Sequence, residues 1–244
     1  MTEPPATAPY IGQELELFAR AENWKDYFAT LLRPYLRGDV LEVGAGLGAT
    51  SRRLCDGSQR TWLCLEPDPA MAAGLEAALA AGALPACCLA RAGTVGTLPA
   101  EARFDAVLYI DVLEHVEDDA AELAAAARVL RRDGVLIVLA PAHAWLYSPF
   151  DRAIGHYRRY TRRSLERAAP PGLRRLTLRY LDSVGLLASA GNRFLLRRSL
   201  PTERDIARWD RLMVPVSRRL DPWLGYRIGK SVLGIWRADP APSR

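Results

Sequence analysis

The sequence predicts a doubly wound α/β fold: a mostly parallel seven-stranded sheet with helices on both faces. Three observations carry this reading. The apolar run Val40-Leu41-Glu42-Val43 leads straight into Gly44, Gly46 and Gly48. Strand and helix patterns then alternate at lengths suited to strand–helix–strand units, which puts parallel strands under helices on both faces. A second strand pattern, Trp62-Leu63-Cys64-Leu65, ends on an acid, Glu66, about twenty residues after the glycines. Glycines at such a turn let the backbone bend sharply and approach a ligand closely, and the helix that follows offers its N-terminus.

Each element follows in order. Residues 10–36 carry helical apolar spacing (Leu15, Phe18, Trp24, Phe28, Leu31, Leu32), so one or two helices precede the first strand. The alternation then reads strand 39–43, helix 47–56, strand 61–66, helix 69–82, strand 85–90, strand 104–110, helix 117–131 and strand 134–140. Pro69 suits the first turn of its helix, and Asp133-Gly134 makes the turn into the fifth strand. Residues 141–160 are rich in aromatics and charge without clean periodicity. Thr161 caps a helix that stops before Pro170-Pro171-Gly172. Two late strands, 173–181 and 228–238, enclose helical material. The reading is one domain: an N-terminal helical segment (1–37), a core (38–140), a lid and cap (141–227) and a final strand (228–238).

The 244 residues suffice for one well-cored α/β domain. The first nine residues are polar and proline-rich, a loose tail rather than a leader. The longest apolar stretch, 184–196, falls short of a bilayer span and is broken by Gly191, Asn192 and Arg193. Four cysteines (Cys55, Cys64, Cys87, Cys88) show no metal spacing, with Cys87 and Cys88 expected on opposite faces of the third strand. They read as buried thiols of a cytoplasmic protein, and no metal is assigned. Charge is uneven: residues 152–237 hold 20 Lys+Arg against 6 Asp+Glu, the rest 13 against 22. Solvated arginine faces and an anionic partner explain this excess equally well.

Four pieces in sequence order belong together: the Glu42 to Gly48 turn, Glu66, the run Phe104-Asp105-Ala106-Val107-Leu108-Tyr109-Ile110-Asp111-Val112-Leu113-Glu114-His115, and Leu130 to Val138. In this order they resemble the class I S-adenosylmethionine-dependent methyltransferases, particularly the bacterial small-molecule group, over roughly residues 38–165. Gly155-His156-Tyr157-Arg158-Arg159-Tyr160-Thr161 looks like the segment after strand five in that group. The resemblance implies a Rossmann-like fold, S-adenosyl-L-methionine as cofactor, and methyl transfer to an oxygen or nitrogen of a small metabolite in biosynthesis.

The resemblance also implies roles. Gly44, Gly46 and Gly48 pass under the methionine part of the cofactor, and Glu42 organises the turn and faces the amino-acid end. Glu66 accepts from the ribose hydroxyls, while Pro67 and Asp68 shape the adenine pocket. Thr94 stands near the adenine where many relatives carry an acid. Asp111 faces the methyl group and the acceptor, or caps the next helix. His115, four residues on, shares its face if the turn is helical.

Methyl transfer needs in-line positioning more than side-chain chemistry, and a base only where the acceptor must lose a proton. His143 ranks first as that base, ahead of Asp111, His115 and Tyr147; His156 reads as an anchor, and Asp151 is a weaker lid candidate. The segment 184–227 reads as a cover over the site. Peripheral membrane contact and a homodimer face are compatible with it but not favoured. Rival readings are a nicotinamide dehydrogenase through Gly44, Gly46, Ala49 and Glu66, a nucleic-acid methyltransferase through the arginine-rich half, and a non-catalytic binding module. The dehydrogenase reading lacks a Tyr-x-x-x-Lys site, and the nucleic-acid reading lacks an aromatic stacking platform.

Overall fold

Apolar residues on both faces of successive short runs leave a parallel sheet between two helical layers as the way to bury them. The computed structural model describes residues 18–191 and 202–239. Among these residues lie seven strands: β1 (Asp39–Val43), β2 (Thr61–Glu66), β3 (Cys88–Ala92), β4 (Phe104–Ile110), β5 (Leu130–Pro141), β6 (Leu173–Leu181) and β7 (Ser231–Ala238). Their order is β3-β2-β1-β4-β5-β7-β6. Strands β1 to β5 pair in parallel, and β7 runs antiparallel between β5 and β6. The order reverses between β1 and β4, and ligands of such sheets lie there, beyond the carboxyl ends of the strands.

The helices are α1 (Glu22–Leu32), α2 (Ala49–Leu54), α3 (Pro69–Ala80), α4 (Asp119–Arg128), α5 (Pro149–Ala153), α6 (Arg162–Ala168), α7 (Ser183–Gly191), α8 (Glu203–Arg208) and α9 (Val214–Trp223), the last two joined by a π-turn (Trp209–Met213). One core layer sets α1 and the cap residues Ile206, Trp209 and Val214 against Val40, Trp62, Leu108 and Ile137. The other sets Leu123, Ala126 and Leu165 against Leu41, Val107, Leu136 and Val138. At the opposite end of the sheet from the switch point, Asp39 and Asp105 pair with Arg60 and Arg131.

Several expected boundaries move. The third strand starts at Cys88 rather than 85, because the Cys88 amide bonds back to Pro85 O in a turn. Cys87 therefore precedes the strand, and the expected alternation of Cys87 and Cys88 fails: their sulfurs lie 3.3 and 3.6 Å from Cys55 Sγ. The helix expected over 117–131 is α4, 119–128, because Asp118 accepts from Ala121 N and fixes its start. Strand β5 already pairs with Phe104 at Leu130, then bulges around Asp133 (φ +61°) before pairing again at Val135. The predicted helix 47–56 is shorter (49–54), and the final strand begins at 231 rather than 228. Pro69 and Thr161 act as read: Pro69 opens α3, and Thr161 forms a reciprocal capping box with Ser164. The expected helical residues 10–17 lie outside the described residues.

The cap is tied to the core. Asp210 accepts from the amides of Asn23 and Trp24, Tyr27 Oη donates to Asp221 at 2.6 Å, and Asp221 also accepts from Asp182 N and Ser183 N. The outer side of the π-turn and α9 exposes Leu212, Val216, Leu220 and Trp223, at helical spacing. No helix among the described residues is long and apolar enough to cross a membrane.

Candidate functional site

The glycine turn leaves β1 with three left-handed residues in a row of alternate positions: Gly44 (φ +68°), Gly46 (φ +54°) and Gly48 (φ +71°). Amides of Gly44 and Ala45 both bond to Leu65 O, which docks the turn onto β2. A Cβ on Gly44 would come within 2.6 Å of Val112 Cγ2, and one on Gly48 within 2.8 Å of Leu75 Cδ2. At 44 and 48 the missing side chains are thus required by internal packing as well as by φ.

Glu66 ends β2 directly beside this turn. One carboxylate oxygen accepts from Gly46 N at 2.8 Å and the other from Asp68 N at 3.1 Å. The side chain is buried, so the acid is held by two backbone donors at the rim of the switch point. Glu42 sits deeper in β1. Its Oε2 accepts from Ser51 Oγ (2.6 Å) and Trp62 Nε1 (2.8 Å), bracing β1, β2 and α2 together. Burial pushes its carboxyl up to about 7 despite these donors.

Pro67 is exposed just past β2, followed by Asp68, which caps α3 through Ala70 N and Met71 N. The Gly93 amide bonds to Glu66 O, and the exposed Thr94 caps a short 3-10 turn (Val95–Thr97), so this loop lies beside the end of β2.

On the other side of the switch point, Asp111 follows β4 with a left-handed backbone (φ +53°) and a side chain open to solvent. The protein packed about this opening desolvates its carboxyl and raises it to about 6 against the opposing pull of His156, Lys230, Lys25 and Arg159. The helical turn expected from Asp111 to His115 is instead a 3-10 turn that starts only at Leu113 (Leu113–His115). Asp111 does not cap the next helix; Asp118 does. His115 is exposed, with its ring 4.5 Å from that of His156, and desolvation lowers it to about 4.

The two remaining candidates are occupied. His143 Nε2 lies 2.9 Å from Gly229 O, and its ring stacks on Tyr180. A proton on Nε2 serves that carbonyl, which leaves Nδ1 as the basic nitrogen. Tyr147 Oη donates to His156 O at 2.6 Å, pinning the lid.

The lid itself is a charged lattice under a short helix. Asp151, fully buried, receives Arg159 through Nε (2.8 Å) and Nη2 (3.1 Å) and sits 3.0 Å from His156 Nδ1. Burial opposes ionisation here, but these donors hold its carboxyl down at about 2. Tyr157 N bonds to Glu114 O, Arg158 pairs with Asp119, and Tyr160 Oη donates to Asp119. His156 is therefore an anchor through Asp151, as its motif suggested.

Three groups, two buried and one half-buried, escape a reading of motifs alone. Glu114 is 1% exposed, and its Oε2 has no hydrogen-bond partner. Lys25 Nζ donates to the carbonyls of Phe18, Ala19 and Ala21, and desolvation lowers it to about 8. Lys230 packs over the Trp209 ring near Asp182. The lysines carried a signal: they are the chain's only two. A basic groove lined by Arg162, Arg163, Arg167 and Arg175 lies along the edge strand β6, three strands beyond β4.

Comparisons with known proteins agree with this architecture. A family model for a methyltransferase domain matches residues 41–138. Curated proteins give no match. Among solved structures, a proposed sarcosine dimethylglycine methyltransferase from Galdieria sulphuraria superposes with a TM-score of 0.58 at 19% identity, covering 90% of this chain and 85% of that one. An S-adenosylmethionine-dependent methyltransferase from Clostridium acetobutylicum gives 0.58 at 11% identity, over 93% and 97% of the two chains. The N-methyltransferase NodS from Bradyrhizobium japonicum gives 0.56 at 12%, over 91% and 97%. Residues 41–138 are thus a methyltransferase domain, and the chain has the Rossmann-like fold of S-adenosylmethionine-dependent methyltransferases.

Proposed function

We propose that this enzyme moves the methyl group of S-adenosyl-L-methionine to an oxygen or nitrogen of a small molecule, in a cleft between the ends of β1, β2 and β4. The observation that carries the proposal is the juxtaposition of the left-handed glycine turn with the Glu66 carboxylate, through the Gly46 amide at 2.8 Å. This arrangement fits the cofactor: a side-chain-free turn for the methionine part, and an acid whose remaining lone pairs can accept from ribose hydroxyls. Pro67 and Thr94 would flank the adenine, and Glu42 would support the turn from beneath. When bound, the cofactor supplies an already activated methyl group on a sulfonium.

The protein's task is then geometric. Asp111 stands across the switch point on a strained backbone, where it can hold an acceptor hydroxyl or amine in line and take its proton. His115, four residues on, is likewise exposed. Tyr147 and His143 support the lid and the β5 end, with Tyr147 Oη and His143 Nε2 engaged with backbone carbonyls and His143 Nδ1 left as the basic nitrogen. The basic groove runs along β6, three strands beyond β4 in the sheet order, which favours a small acceptor over a nucleic acid.

A panel of phenols, alcohols and amines tests the reading, with methyl transfer followed as formation of S-adenosylhomocysteine. Turnover with at least one acceptor is expected, abolished by Gly46→Asp, which sets a carboxylate beside Glu66 on a left-handed backbone. Equal turnover in that variant would place the site elsewhere.

A further inference from the structure

We infer that Glu114, His115 and His156 form a binding site for a first-row divalent metal ion at the edge of the proposed acceptor cleft. One ligand atom from each lies within 4.8 Å of the others, and His156 Nε2 is 3.8 Å from Glu114 Oε1. Ligand atoms about 2.1 Å from a shared ion stand roughly 3.0–3.5 Å apart. Closure by small side-chain rotations brings this set to that spacing.

Two independent observations point to an ion rather than a chance cluster. Glu114 is a buried carboxylate with an oxygen that no donor satisfies, a costly arrangement for a group taken out of water. His156 is wired as a metal ligand is wired. Its Nδ1 faces Asp151 Oδ1 at 3.0 Å, and Asp151 is clamped in turn by Arg159. A carboxylate on one imidazole nitrogen fixes the proton there and turns the other lone pair toward the ion. Here that second nitrogen is Nε2, the one aimed at Glu114.

The chain holds the three pieces rigidly. Glu114 and His115 share the 3-10 turn after β4, and Tyr157 N bonds to Glu114 O, clipping the lid segment with His156 onto that turn. Two imidazoles and one carboxylate suit Fe2+, Co2+, Zn2+ or Mn2+ and leave coordination positions open. Asp111, three residues upstream, interacts electrostatically with both Glu114 and His156 and so borders the site. Resting on the proposed methyl transfer, the open positions would take an oxygen of the acceptor, which narrows the acceptor to a hydroxylated compound. His115 is then a ligand, and proton removal falls to Asp111.

Cobalt binding tests the site. The full chain, without a histidine tag and stripped by chelator, is titrated with Co2+ by visible absorption. One equivalent should bind with weak nitrogen/oxygen-type bands. His115→Ala, at an exposed position, and Glu114→Gln should each weaken binding at least tenfold. Asp151→Asn, acting through His156, should weaken it about tenfold. Cys55→Ser controls for the thiol cluster of Cys55, Cys87 and Cys88 and should change nothing. No bound Co2+ overturns the site, as does binding indifferent to His115→Ala and Glu114→Gln. Thiolate charge-transfer bands that vanish in Cys55→Ser overturn it equally. S-adenosylhomocysteine titrated in the presence of chelator separates the two claims: retained binding keeps the cofactor reading when the metal fails.

Discussion

At the scale of single residues, one side chain often serves two purposes, and substitution can separate them. Glu66 is both the brace of the glycine turn and the proposed ribose acceptor. Glu66→Ala should weaken S-adenosylhomocysteine binding by about 1–3 kcal/mol, the usual range for hydrogen bonds to a charged group. Calorimetric affinity unchanged in the variant would confine Glu66 to the brace. Gly44 is tested through its neighbour. Gly44→Ala combines a left-handed alanine with a methyl pressed on Val112, a cost of about 2–4 kcal/mol in urea unfolding. Adding Val112→Ala should return part of that loss, whereas strictly additive losses would show no contact.

Glu42 gives the pH dependence a sign. Its native carboxyl titrates at about 7 instead of the usual 4.5, because it is buried. Between those values the folded chain keeps a proton that the unfolded chain has released, so this residue's contribution falls as pH rises through the window. Glu42→Gln cannot ionise and still accepts from Ser51 and Trp62. Relative to the parent protein it should gain about 2–4 kcal/mol on going from about pH 4.5 to above pH 7. Parallel stability profiles would contradict the buried titration.

At the scale of elements, patterns within one segment were legible and features completed from afar were not. Pro69, Thr161 and the span 173–181 announce themselves through local chemistry, a fixed φ, a capping hydroxyl and a run of alternating apolar residues. Strand β3 was displaced because the Pro85 to Cys88 turn is set by backbone hydrogen bonding rather than by hydropathy. The start of α1 has no cap of its own: Ala21 offers no side-chain acceptor, and Asp210 reaches in from the cap, 187 residues from Asn23. No local reading reveals such a cap. Asp210→Ala should cost about 1–3 kcal/mol and loosen the N-terminal helix first, seen as faster amide exchange at Asn23 and Trp24. Unaltered exchange there would mean that packing of Trp24 on Trp209 alone holds the helix.

At the scale of the whole molecule, the chemistry collects at one end of the sheet and the arginine excess is distributed by role. Glu66, Asp111 and the glycine turn were visible in sequence because strand ends around a switch point are fixed by topology. The lid lattice was half visible. The motif around His156 stood out, but its dependence on the buried Asp151 needed three dimensions. His143 stands out by its place after β5, but the contact that fixes its tautomer, Nε2 with the Gly229 carbonyl 86 residues away, needed three dimensions. Of the arginines, Arg158 and Arg159 lock the lid, Arg162 and Arg179 lie over Tyr180 and Tyr226, and others line the outer groove on β6. Part of the charge imbalance is thus internal wiring.

The central claim is that the glycine turn and Glu66 hold an S-adenosyl ligand. Calorimetric titration of the full chain with S-adenosylhomocysteine, beside NAD⁺ and NADP⁺, tests it most directly. Saturable binding of S-adenosylhomocysteine alone, at one ligand per chain, is expected. Binding of a nicotinamide nucleotide instead, or of none of the three by a folded protein, would contradict it.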